Sequence, residues 1–107
     1  MNTVTPLRPV ETAEEQAYRQ PPHNLDAEQA LLGAIMVNNE ACDRVTTFLM
    51  PEHFFEPLHA RIYESASALI RMGKLANPVT LKAFFEQDAT LKEIGGPAYL
   101  ARLAASA

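Results

Sequence analysis

The segment Pro57-Leu58-His59-Ala60-Arg61-Ile62-Tyr63-Glu64-Ser65-Ala66-Ser67-Ala68-Leu69-Ile70-Arg71-Met72-Gly73 constrains this chain more than any other. Leu58, Ile62, Ala66, Leu69 and Met72 recur at spacings of three and four, which puts them on one stripe of an α-helix over residues 57–72. Such a stripe has to be buried. Pro57 suits the first helical turn, where its missing N–H is not needed, and Gly73 can take the left-handed conformation that ends a helix. Just upstream, Pro51 opens a short turn that throws Phe54 and Phe55 against the same stripe. The segment therefore reads as an aromatic wedge plus a central helix, with the remaining elements packed around it.

Residues 1–22 contain four prolines, mixed charges and no apolar helical period, and read as a flexible tail whose Pro21-Pro22 stiffens the chain before the first helix. The helical domain is expected over residues 23–107. Asn24 or Asp26 can cap the first helix, Asp26 having Gln29 at the capping-box spacing. That helix runs to Val37 and is almost wholly apolar after its first turn. Gly33 inside it costs roughly 1 kcal/mol of helix propensity against alanine, so it marks a close approach by another helix, of this chain or of a second copy. Asn38-Asn39 separates it from a second helix whose stripe is Ala41, Cys42, Val45, Phe48 and Leu49, stopped by Pro51. The short connection makes the two near neighbours. Asn77-Pro78 starts a further helix to about residue 87, with Leu81, Phe84 and Phe85 buried and Lys82 and Glu86 on the wet face. Thr90 and Glu93 have the capping-box spacing for one short turn, anchored by Ile94 and ended by Gly95-Gly96. Pro97 opens a last helix carrying Leu100, Leu103 and Ala104. Its pattern is unfinished at Ala107, which leads us to expect a longer parent chain.

No period-two segment bounded by hairpin turns and no internal repeat occurs, so the expected fold is all-α, one compact bundle of about six helices. The expected core is Leu31, Ile35, Val45, Phe48, Phe55, Leu58, Ile62, Leu69, Leu81, Phe84 and Leu100. With 107 residues, 48% of them apolar and 21% charged, the composition suits one soluble domain, and no stretch reaches the roughly 20 apolar residues of a membrane span. The single cysteine, Cys42, cannot form an internal disulfide and is a core residue by position. These features point to a cytoplasmic protein. The net charge is −4 and the nine basic residues are scattered among thirteen acidic ones, so direct binding to a nucleic-acid backbone is not expected.

Catalytic groupings are equally absent. The phosphate-binding pattern G-x-x-x-x-G-K-[ST] does not occur; Gly73-Lys74 lacks both the upstream glycine and the following hydroxyl. His23, His53 and His59 have no zinc-like spacing with cysteine or carboxylate, although His59 and Glu56 could meet across a helical turn. His59 could instead bond a neighbouring loop or stack on a ring. Glu56, just before Pro57, is accounted for by the helix dipole, worth about 0.3–1 kcal/mol. No cofactor, metal or catalytic residue is assigned to this chain. Exposed positions on the first, central and last helices that could meet protein partners are Glu28, Arg61, Glu64 and Arg102.

Taken in order, Pro21-Pro22-His23-Asn24, Ala27-Glu28-Gln29-Ala30-Leu31-Leu32-Gly33-Ala34, Phe54-Phe55, His59-Ala60-Arg61-Ile62-Tyr63, Val79-Thr80-Leu81 and Ile94-Gly95-Gly96-Pro97-Ala98-Tyr99-Leu100 resemble the N-terminal domain of the DnaB-type bacterial replicative DNA helicases. The likeness covers residues 21–105 and departs from the family's pattern at Asn77, often aspartate there, and around Cys42. It implies a parent protein that is a hexameric, ATP- and Mg-dependent helicase unwinding duplex DNA at the replication fork, with its motor in a C-terminal RecA-like domain outside this chain. The implied part played by the N-terminal domain is an all-helical collar that dimerises, supports the ring and recruits primase and the helicase loader, without activity of its own. A helical hairpin that the family uses for dimer contacts would follow Ala107. The implied location is the bacterial cytoplasm, at replication forks on the nucleoid. The competing reading is a free-standing helical adaptor unrelated to replication.

Overall fold

The computed structural model describes residues 24–107. The expected tail over residues 1–22 and His23 lie outside them. The described residues form six α-helices and no strand: α1 (Leu25–Val37), α2 (Glu40–Val45), α3 (Pro57–Arg71), α4 (Pro78–Lys82), α5 (Ala89–Glu93) and α6 (Pro97–Ala105). Two single 3₁₀ turns, Pro51–His53 and Ala83–Phe85, precede α3 and extend α4.

The ends of the helices are set by local chemistry. Asn24, rather than Asp26, caps α1: its Oδ1 accepts from the Ala27 N–H at 3.0 Å. Glu56 caps α3 by accepting from the Leu58 N–H at 3.0 Å, and Pro57 occupies the first turn as the sequence requires. At the other end of α3, Gly73 has φ 75°. The Lys74 N–H bonds the Leu69 carbonyl and the Gly73 N–H bonds the Ile70 carbonyl, both at 2.9 Å, which closes a Schellman turn. The same device ends α5, where Gly96 and Gly95 donate to the carbonyls of Leu91 and Lys92. That short helix is capped by Asp88, whose Oδ1 accepts from the Leu91 N–H at 2.9 Å, not by Thr90. At α4, Asn77 accepts from Val79 and Thr80 while the Thr80 hydroxyl accepts from the Asn77 N–H.

The core gathers Leu32, Ile35 and Met36 of α1, Cys42 of α2, Leu58, Ile62, Tyr63, Ala66 and Leu69 of α3, Leu81, Phe85, Leu91, and Tyr99, Leu100 and Leu103 of α6. Six of the eleven expected core residues (Ile35, Leu58, Ile62, Leu69, Leu81 and Leu100) are buried, and Leu31 and Val45 pack at the margin. Three aromatic assignments are corrected. Phe48 is 66% exposed, Phe55 56% and Phe84 55%. The backbone around Phe54 is extended, so successive side chains point to opposite sides; Phe54 goes inward, with its ring 5.1 Å from that of Tyr63, and Phe55 outward. In the turn after α4, Phe85 joins Leu81 in the core and Phe84 faces out, a choice that helical spacing does not make, since residues three and four positions on both neighbour Leu81. Phe48 turns out because α2 stops at Val45 instead of running to Pro51. The β-branched run Val45-Thr46-Thr47 is a poor helix former, and the Leu49 carbonyl is taken by the Tyr63 hydroxyl at 2.7 Å. Met72, at the C-cap of α3, is also exposed, and the short α5 is anchored by Leu91 rather than Ile94.

Two joints hold the layers together. The Asn39 side chain clamps the backbone of Ala76, accepting from its N–H at 2.9 Å and donating to its carbonyl at 2.8 Å, while also donating to the Ile35 carbonyl at 2.7 Å. The α1–α2 corner is thereby fastened to the link before α4. The second joint is Gly33. A Cβ built there would sit 2.0 Å from the Leu103 carbonyl oxygen and 3.2 Å from the Ala107 nitrogen. The close approach read from the glycine is thus made within the chain, by α6. Gln29 meets Tyr99 and Gly33 meets Leu103, so the first and last helices lie side by side and run in the same direction.

Substituting Gly33→Ala should lower the free energy of unfolding by about 1–3 kcal/mol, because a backbone carbonyl has to move to admit the methyl group. Helix propensity alone would raise stability by about 1 kcal/mol. Urea unfolding of the variant therefore reads the sign of the effect as well as its size.

Candidate protein-interaction surface

The polar centre of the domain is a chain of side chains joining α1, α3 and α6. Glu28, in the first turn of α1, accepts hydrogen bonds from the backbone N–H groups of Phe55 (2.6 Å) and Glu56 (3.4 Å) and from His59 Nδ1 (2.8 Å). His59 is 2% exposed. With its Nδ1 proton directed at the carboxylate, the other ring nitrogen is left to accept from the Tyr99 hydroxyl, whose oxygen accepts in turn from Gln29 Nε2 at 3.2 Å. The rings of His59 and Tyr99 lie nearly parallel, 7° apart with centroids 6.0 Å apart. Both carboxylate oxygens of Glu28, both ring nitrogens of His59 and the Tyr99 hydroxyl have partners, which is what burial demands of them. The order carboxylate, imidazole, hydroxyl is that of a nucleophilic relay, but the hydroxyl here is a buried phenol already bonded to Gln29, so the arrangement fastens helices. His59 meets Glu28 and Tyr99, and not Glu56, whose carboxylate is spent on the α3 cap.

This network changes the standing of the four surface positions. Glu28 is turned inward and its side chain is 13% exposed. Arg61 is half exposed and pairs with Asp88 at 2.9 Å. The Arg102 guanidinium lies over the Tyr99 ring, 5.4 Å from its centroid, and donates to the Ile94 carbonyl at the C-terminal end of α5, where positive charge is favourable. Glu64 alone among them is exposed and makes no hydrogen bond or ion pair with the described residues.

Glu64 borders a groove of about 220 Å³ between α3 and the segment after α2, lined by Thr46, Leu49, Met50, Pro51, Tyr63, Glu64, Ser67 and Arg71. Tyr63, Ser67 and Arg71 recur every four residues, so the groove follows α3 for two turns. Burial pushes the Tyr63 phenol above its ordinary value of 10.0, keeping it a hydroxyl that donates to Leu49. The groove's lining mixes apolar Leu49, Met50 and Pro51, of which Met50 is 47% exposed, with the exposed polar side chains of Thr46, Glu64 and Arg71. Among the described residues no three histidine, cysteine, aspartate or glutamate side chains are grouped as a metal ion would need. No described helix is long and apolar enough to cross a membrane.

Residues 20–107 match the model of the family described as the DnaB-like helicase N-terminal domain. This chain belongs to that family. Over 82 residues it is 50% identical to the replicative DNA helicase DnaB of Rickettsia prowazekii, an alignment covering 77% of this chain and 17% of the relative. The corresponding helicase of Buchnera aphidicola subsp. Schizaphis graminum is 36% identical over 83 residues, covering 78% of this chain and 18% of that protein. The chain thus spans about a sixth of the length of such relatives. The crystal structure of the N-terminal domain of DnaB helicase from Mycobacterium tuberculosis superposes with a TM-score of 0.72 at 34% identity, over 82% of this chain and 61% of that one. The all-α fold and the family expected from the ordered motifs are those found.

Two measurements probe the DnaB-type domain's polar fastenings. Tyr99→Phe removes the partner of the buried His59 Nε2 and of Gln29 Nε2 and should cost about 1–3 kcal/mol, against less than about 0.5 kcal/mol for the exposed Phe48→Ala, both read by urea unfolding. Asp88, accepting first from the Leu91 N–H and also from Arg61, is held below its ordinary 3.8. Its contribution is therefore complete above about pH 4 and lost as pH falls through the lower folded value. Asp88→Asn, which can still cap α5, should show a shallower loss of stability than the parent chain between about pH 4 and pH 2.

Proposed function

We propose that this domain is the assembly and docking collar of a ring-shaped replicative helicase, supporting oligomerisation and recruiting primase and the helicase loader at the replication fork. What carries the reading is membership of the DnaB-like helicase N-terminal domain family, together with 50% identity to a protein named a replicative DNA helicase. The internal chemistry supports it. The described polar side chains at the centre of the fold are spent on joining helices, which suits a rigid module that presents a surface. In this reading ATP and Mg are bound by a motor domain elsewhere in the parent protein, which unwinds duplex DNA in the bacterial cytoplasm. The collar meets proteins and not DNA, in keeping with a net charge of −4.

The test is deletion of residues 1–107 from the full-length helicase. ATP hydrolysis should persist, while the hexamer becomes less stable to dilution and primase no longer co-sediments with it. A deleted protein that assembles and retains primase like the intact one would overturn the reading.

A further inference from the structure

The buried series that joins α1, α3 and α6 runs in one direction. Gln29 Nε2 donates to the Tyr99 oxygen at 3.2 Å, the Tyr99 hydroxyl donates to His59 Nε2, and His59 Nδ1 donates to Glu28 at 2.8 Å. An ionised carboxylate can only accept, so Glu28 fixes the sense of every bond leading to it. In this arrangement the series carries the single negative charge of Glu28. The Tyr99 hydroxyl and the Gln29 carboxamide, by contrast, each work in either sense. A hydroxyl proton rotates about its C–O bond, and turning a carboxamide exchanges its oxygen with its nitrogen. Gln29 is half-buried, and its Oε1 has no hydrogen-bond partner among the described residues.

We propose that the series is a proton-operated switch, with His59 as its sensor and the Gln29 carboxamide as its display at the surface. When His59 takes a second proton from solvent, on Nε2, that nitrogen turns from acceptor to donor and directs its N–H at the Tyr99 oxygen. The hydroxyl proton is displaced and needs an acceptor on its other side. Turning the Gln29 carboxamide supplies one, with Oε1 in the place of Nε2. Nδ1 keeps its bond to Glu28, now as an ion pair, and the series as a whole becomes neutral. His59 is buried, so each state has to be complete in hydrogen bonds, and both are. The heavy atoms keep the same neighbours, and the two states share one fold. They differ at the surface of α1. The neutral ring leaves a carboxamide oxygen outward, an acceptor, whereas the protonated ring leaves an NH2 group there, a donor. A partner group of either kind therefore tells the states apart. The other charged groups nearby do not compete for the ring's proton: the Glu56 carboxylate accepts from the Leu58 N–H, and the Arg102 guanidinium over the Tyr99 ring has no acceptor to offer. Among the described residues no further charged side chain is bonded to the series.

Nitrogen-15 NMR of the 107-residue chain, titrated from about pH 8 to about pH 4, tests this. At the start His59 should show a protonated Nδ1 and a bare Nε2. On acidification both ring nitrogens should carry protons while the backbone amide spectrum stays that of the folded chain, and the Gln29 carboxamide signals should shift in the same step. Gln29→Leu takes from the protonated state the acceptor it needs, and from the neutral state only a second donor to the Tyr99 oxygen. His59 of that variant should therefore take its second proton at a pH lower by about half a unit or more, with His53, which accepts from the Met50 N–H before α3, unchanged. These results support the switch. It is overturned by loss of the folded spectrum before the ring is doubly protonated, by a second proton that settles on the Glu28 carboxylate (read from its carbon-13 shift), by Gln29 signals indifferent to the step, or by a variant that titrates with the parent. Each of those outcomes leaves the series a fixed fastening. None of them bears on the collar reading, which is tested on the full-length helicase.

Discussion

A carboxylate placed under the surface without partners is so costly that the structure around it has little choice. Glu28 is that carboxylate. It receives two backbone N–H groups from the loop entering α3 and a third from His59, so the position of the loop, the start of the central helix and the first turn of α1 are solved together. The remaining imidazole nitrogen then needs a group on α6, and Tyr99 supplies it. Four separate stretches of sequence meet through one connected set of donors and acceptors. Apolar contact alone would tolerate some sliding of helix on helix, whereas hydrogen bonds of this length hold one register.

Close backbone packing adds a constraint of a different kind. At Gly33 the α6 backbone occupies the space a side chain would fill, which brings the first and last helices nearer than alanine permits. Here the polar network and the packing agree: Gln29 with Tyr99 and Gly33 with Leu103 set the same alignment four residues apart. Agreement between independent local demands is what gives a small domain a single native arrangement.

What could be read from the amino acids alone was whatever is decided by near neighbours in the chain. Pro57, Gly73, Asn77 and Gly95 act within a few residues of themselves, and the three-and-four spacing of Leu58, Ile62, Ala66 and Leu69 is a property of one helix. Gly33 announced a close approach, though not by which helix. The Glu28–His59–Tyr99 series was hidden because its members lie 31 and 40 residues apart, and no spacing rule links an acid, an imidazole and a phenol over such separations. A histidine beside Leu58 on the buried stripe was the available clue, since it could only be accommodated with partners. The adjacent phenylalanines misled for a related reason: which of Phe54 and Phe55, or of Phe84 and Phe85, turns inward depends on whether the backbone there is extended or coiled. Glu28 and Arg102 look like surface charges in the sequence and become fastenings in the fold, while the groove beside Glu64 exists only because α2 ends early.

The side-by-side, same-direction arrangement of α1 and α6 also has a mechanical meaning. Two rods that lie head beside head resist a pull along their common axis by sliding friction over their whole contact, with every bond loaded at once, instead of being unzipped from one end. A tug arriving along α6 is therefore spread through α1 and, by way of Glu28, into the central helix, so the domain would behave as a stiff anchor point rather than a spring.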